Sequence, residues 1–222
     1  MVGISYIFIM FFGGTYTNSL LYYCKGVLGD TSYQTAIVNM TNIPQLIATI
    51  CAVFFVKKIG KGNTFRLGNI ILIIGLALRA IVGANPQMQI FCGLLYGVGY
   101  GMTLSEILGL LADTVEYGLW KNGVRIVGSA FAVMSFAAKI GNGFGSSVVG
   151  WMLEWSGYNG DAAVQNSQAI FSINTCFIYI PLICTILMFI VMSFYDLDKK
   201  FGQIIEDNKN RAEKKKASEP IA

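Results

Sequence analysis

Long apolar stretches broken by short polar or charged segments recur along the chain: Ile4 to Tyr23, Tyr33 to Val56, Leu67 to Ala84, Met88 to Ala112, Ile126 to Trp151 and Ala169 to Tyr195. Each is close to the roughly 20 residues that an α-helix needs to cross the ~30 Å hydrocarbon core of a bilayer. Runs this long and continuous lack the alternation of a barrel strand, so the pattern predicts helices. The expected fold is an all-α membrane protein, a six-transmembrane-helix bundle over residues 1–195, with a basic and acidic cytoplasmic tail over 196–222. That tail is expected to be solvated and partly disordered. Pro44 and Pro181 fall inside the second and sixth runs, where neighbouring helices, hydroxyls or water can satisfy the freed carbonyls. Asn85-Pro86 marks a turn. The first run has no basic segment before it and exceeds the apolar core of a signal peptide.

Composition agrees with this pattern. Of 222 residues, 55% are hydrophobic and 13% charged, and the mean hydropathy is +0.59; a soluble domain carries roughly 25% charged residues. Six spans consume about 120 positions and leave little for a soluble domain. The chain has no histidine, which removes the commonest general base and zinc ligand. The five cysteines, Cys24, Cys51, Cys92, Cys176 and Cys184, show no metal or disulfide spacing. We therefore expect no enzyme, no metal site and no covalently bound cofactor.

The net charge of +4 is local. Lys57, Lys58, Lys61 and Arg66 share one loop, while seven basic and six acidic residues nearly cancel after residue 195. With both termini and the loops near 57–66 and 113–125 in the cytoplasm, the inner side collects thirteen of the 16 Lys and Arg. The positive-inside rule favours that orientation in the cell membrane and leaves no need for nucleic acid as a partner.

Charges inside a bilayer cost on the order of 2.5 to 3.5 kcal/mol each at a helix centre. Lys139 lies about 20 Å into its span, near the midplane, and is a candidate partner for substrate. Glu106 lies about 10 Å inside the cytoplasmic boundary, where coupling and structural roles both stand open. Arg79 is roughly 9 Å from the outer end of its span, within reach of the interface through its long stem. Gly141 and Gly145, four apart, suit close helix contact. The same reading suits Gly97, Gly99 and Gly101 better than a nucleotide loop, because no strand precedes either glycine run. Between the fourth and fifth runs, Asp113 and Glu116 share a face if the helix continues. With Tyr117, Lys121 and Arg125 they form a candidate charge cluster at the cytoplasmic gate.

The segment from Ala112 to Arg125, ADTVEYGLWKNGVR, resembles the loop A-D-T-V-E-Y-G-E-W-K-T-G-V-R of the glycoside-pentoside-hexuronide:cation symporters, the melibiose-carrier branch of the major facilitator superfamily. Leu119 replaces the usual acid and Asn122 a common threonine. Further resemblance lies in Tyr22-Tyr23 with Val27-Leu28-Gly29-Asp30, in Lys58-Ile59-Gly60-Lys61, and in Ser135 to Gly145 with Gly150-Trp151. It covers almost the whole chain but only helices seven to twelve of a family member. The resemblance implies alternating access between two bundles, a sugar or glycoside substrate, and a coupling Na+ or H+ held mainly by the absent first half. It implies substrate contact for Lys139, Ser135 and Asn18, and puts Leu104 where the melibiose carrier has a sugar-stacking aromatic. The expected function is thus the C-terminal half of a secondary sugar transporter, completed by an N-terminal half chain. The alternative is a non-transporting remnant or assembly subunit.

Overall fold

In the computed structural model, which describes residues 1–123, 127–162 and 164–218 (side chains of 199, 212 and 214–218 excepted), the apolar runs are helical rods joined by short turns. They are α1 (Val2–Gly26), α2 (Tyr33–Ile59), α3 (Lys61–Val82), α4 (Pro86–Asn122) and α5 (Val127–Trp155). The last rod is composite: α6 (Ser167–Asn174), a π-helical stretch (Thr175–Tyr179) and α7 (Ile180–Ser193). A further helix, α8, runs from Asp198 to Ser218.

Local chemistry sets the ends. Gly60, at φ 84°, makes a one-residue corner between α2 and α3 that a side chain would strain. Asn85 caps α4 by accepting from the Met88 N–H at 3.3 Å, and Pro86 suits the first turn because the N–H it lacks would have no helical partner there. Asn166 caps α6 in the same way, at 2.7 Å from the Ala169 N–H. Pro181 has no N–H to close the preceding turn, and the winding loosens to π just before it.

Among the described residues, four rods are both long and apolar enough to cross a membrane: α2, α3, α4 and the composite Ser167–Ser193. The two further spans expected from the sequence correspond to α1 and α5. These are long enough, but their polar residues (Thr15, Thr17, Asn18 and Ser19 in α1; Lys139, Asn142, Ser146 and Ser147 in α5) set them apart in composition.

Two other expectations change. Helix α4 does not stop at Ala112 but runs through the family-like motif to Asn122, where Gly123 in the left-handed conformation ends it. The segment expected as a solvated, partly disordered tail is helical, and its start returns to the bundle: Asp198 Oδ2 accepts from the Gly62 N–H at 2.6 Å.

Helix α4 is gripped on two sides. A Cβ at Gly97 or Gly101 would collide with the α2 backbone at Thr41 or Gln45, and one at Gly99 would strike α3 at Leu72. Helix α5 leans on α1, its buried stripe of Met134, Ala137, Gly141, Gly145, Val149 and Leu153 facing that seam. There a Cβ on Gly145 would meet the Phe11 carbonyl. Helix α1 is the centre of the bundle, touching α5 on one side and α4, α7 and the π stretch on the other.

Inside that core, four rings stack in a column: Tyr96 on Tyr16 at 4.1 Å, Tyr16 on Phe177 at 4.8 Å, and Phe177 on Tyr23 at 4.3 Å. Arg79 lies against it, its guanidinium carbon 4.8 to 5.6 Å from the rings of Phe177, Tyr16 and Tyr96. The sequence suggested that this arginine reaches the interface. Instead it points inward and is 0% exposed. Cation–π contacts return ~0.5 to 2 kcal/mol each, so three of them together are of the same order as the several kcal/mol that one buried ion costs.

Candidate functional site

On α5 the residues Ser135, Lys139, Asn142 and Ser146 stand at i, i+4, i+7 and i+11, one helical stripe about 16 Å long beside the α1 seam. All four are exposed. Across the seam, Asn18 of α1, also exposed, donates from Nδ2 to the Gly14 carbonyl at 2.8 Å and to Ser146 Oγ at 3.0 Å. Ser146 Oγ in turn donates a hydrogen bond to the Asn142 backbone carbonyl at 2.9 Å. A backbone carbonyl can only accept, so the Gly14 contact fixes which end of the carboxamide is nitrogen. Both N–H groups of Asn18 are then engaged, and its Oδ1 remains as an acceptor. Lys139, midway along α5, has no carboxylate within ion-pair distance among the described residues. The stripe thus presents an acceptor at Asn18 and three N–H donors at Lys139, the complement of a polyhydroxylated ligand.

Sequence reasoning named Ser135, Lys139 and Asn18 but not Ser146 or Asn142. The helical spacing from Lys139 was the signal that would have found them. Leu104, at the expected aromatic position, packs partly buried against the main core.

The charge cluster expected around Asp113 is divided. Asp113 and Glu116 do share a helix, but Asp113 is buried and pairs with Lys61 of α3, Nζ to Oδ1 at 2.5 Å. Lys61 also lies 5.3 Å over the Phe201 ring of α8. Glu116 meets α8 instead, its carbonyl accepting from Asn208 Nδ2 at 3.1 Å and its carboxylate from the same group at 3.4 Å. Lys121 sits 5.9 Å over the Tyr117 ring, and Trp120 Nε1 donates to Asp207 at 2.8 Å. Arg125 lies outside the described residues. Arg66 donates to the carbonyls of Met192, Ser193 and Tyr195, tying α3 to the end of α7. Helix α8 and the Lys61 corner, neither linked to the motif by sequence spacing, are therefore its actual partners.

Glu106 is 6% exposed, its carboxylate accepting from Ser105 Oγ at 3.4 Å. Among the described residues, no three His, Cys, Asp or Glu side chains are grouped to hold a metal, and the five cysteines are free thiols.

Residues 2–199 match the family described as MFS/sugar transport protein. The chain belongs to this family of sugar:cation symporters. It is 34% identical over 196 residues to the "Glucuronide carrier protein homolog" of Escherichia coli K12, covering 87% of this chain and 43% of that protein. To the "Isoprimeverose transporter" of Lactiplantibacillus pentosus it is 32% identical over 195 residues, 87% of this chain and 40% of the relative. To the "Inner membrane symporter YicJ" of Escherichia coli K12 it is 31% identical over 180 residues, 80% and 39% respectively. The chain thus spans about two fifths of the length of these relatives. Family members are multi-pass membrane transporters that couple sugars or glycosides to cations, and the family is one of transporters rather than enzymes.

Proposed function

We propose that the chain is the C-terminal six-helix half of a cation-coupled glycoside symporter that works by alternating access. The carrying observation is the exposed polar stripe of the α1–α5 pair, in a chain that matches only two fifths of its relatives' length. A stripe of lysine, serine and asparagine facing hydrocarbon would be costly, whereas facing a central cavity it is a wall of a binding site. Helices α1 and α5, at 25 and 29 residues, are long enough to span as well, which makes six. The basic loops orient both termini to the cytoplasm.

In this reading a first-half chain supplies the facing wall and most of the site for Na+ or H+. The substrate is a sugar or glycoside: Asn18 Oδ1 accepts from a hydroxyl, Lys139 donates to a ring, hydroxyl or carboxylate oxygen, and Ser135 flanks it one turn away. The Asp113 and Glu116 contacts at the basic end form the inner gate.

Co-expression with the first six helices of the E. coli glucuronide carrier homolog tests this. The expected result is uptake of labelled glycosides driven by a sodium or proton gradient, absent from either half alone and lowered at least about tenfold by Lys139→Ala, in line with loss of a charge-assisted contact. Uptake no greater than that of the separate halves would favour the non-transporting reading.

A further inference from the structure

The column of rings is built where two helices are pliable. In α1, Gly13 and Gly14 precede Thr15 and Ser19, whose hydroxyls donate back to the Phe12 and Thr15 carbonyls at 2.9 and 2.6 Å, a pattern that bends helices. Phe177, held between Tyr16 and Tyr23 of α1, belongs to the π-helical stretch, which is followed by Pro181 with no N–H to donate back. Tyr16 reaches α2 as well, its hydroxyl 3.3 Å from Thr41 Oγ1. Arg79 flanks this junction from α3. Its Nε, Nη1 and Nη2 are all buried, and none has a hydrogen-bond partner among the described residues. Among the described residues the guanidinium meets ring faces, and no protein acceptor takes the donors that make it a strong hydrogen-bonding group.

We propose that Arg79 and the column form a two-state latch on α1. The structure holds the closed state, with Phe177 intercalated between Tyr16 and Tyr23 and the guanidinium laid on the rings. In the open state the π stretch withdraws Phe177, and the freed guanidinium gains carbonyl or water acceptors. Acceptors gained by the guanidinium offset part of the cost of separating the rings, so a bias on α1 can move the latch. As a step in transport the latch rests on the carrier reading above, since α1 carries Asn18. Its opening is a property of this chain and is read without transport.

Cys24 and Cys92, both buried next to this junction on α1 and α4, report on it. The rate of alkylation by N-ethylmaleimide is followed at each site by mass spectrometry, using the full chain in native membrane vesicles. Lysine keeps the charge but is compact and strongly hydrated, so Arg79→Lys is expected to favour the open state and raise Cys24 modification by about tenfold. Arg79→Met keeps length and apolar stem but has no unmet donors, so it is expected to close the latch and lower modification by about threefold. Opposite signs support the latch. Equal shifts in one direction, or none, would mean that Arg79 merely fills space and would overturn it. Should Arg79→Met fail to fold, Phe177→Leu with Arg79 intact removes the intercalated ring; raised Cys24 modification supports the latch and an unchanged rate overturns it.

Discussion

Lys61 and Asp113 stand 52 residues apart in the chain, and nothing in their spacing pairs them. The pairing follows from the corner at Gly60, which brings the first turn of α3 against the last turns of α4. Asp113 is nearly inaccessible while Lys61 is about a third exposed, so removing the lysine leaves a carboxylate with no cation in a confined place. Lys61→Met and Asp113→Asn should each lower the melting temperature of the detergent-purified chain. The double variant should lose less than the sum, with a coupling of about 0.5–3 kcal/mol. Strict additivity would assign the contact no energetic role. Asn18 shows the converse at the same scale: its polar character was legible in the sequence, but that both its N–H groups are spent, leaving an acceptor, depended on Gly14 and Ser146.

Among the helices, the seams are decided by glycine, and the sequence pattern did not distinguish glycines that pack from those that do not. Gly145 and Gly150 both lie on α5, yet only Gly145 touches α1; a Cβ on Gly150 meets nothing within 4 Å. Gly145→Leu should therefore push α5 off α1, costing about 1–3 kcal/mol or more as overpacking, while Gly150→Leu should stay within about 0.5 kcal/mol. Comparing the thermal stability of the two purified variants checks this, and equal effects would contradict the seam. Periodicity also located the rods but not their ends. Helix α4 continues through Asp113, with no proline after Pro86 to break it, and stops only where Gly123 adopts a left-handed conformation.

Across the whole molecule, the helices alternate in direction, so one end gathers the Gly60 corner, the C-terminal turns of α4 and α8, and the other the turns at Gly83 and Gly157. Charge density sets which end faces the cytoplasm in the proposed orientation. Introduced cysteines read it directly: Ala84→Cys should be labelled by an impermeant maleimide in intact cells, and Gln203→Cys only after permeabilisation, both sites being exposed. The reverse pattern would invert the orientation. The tail is the largest departure at this scale. Its composition is polar and nearly neutral, which favours solvation, but Asp198, Phe201, Asp207 and Asn208 find partners on α3 and α4 that only the assembled bundle presents.

By itself the sequence determined that the chain is helical and membrane-embedded, and through the Ala112 to Arg125 motif it determined the family. Apolar length and local motif are properties of contiguous residues, so they survive without a fold. Tertiary structure alone decided what the charged residues face: Arg79 a column of rings, Asp113 the Lys61 ammonium, and Lys139 the exposed side of α5. Those outcomes depend on side chains brought together from different helices, and the cost of a buried charge depends on its neighbours rather than on its place in the chain.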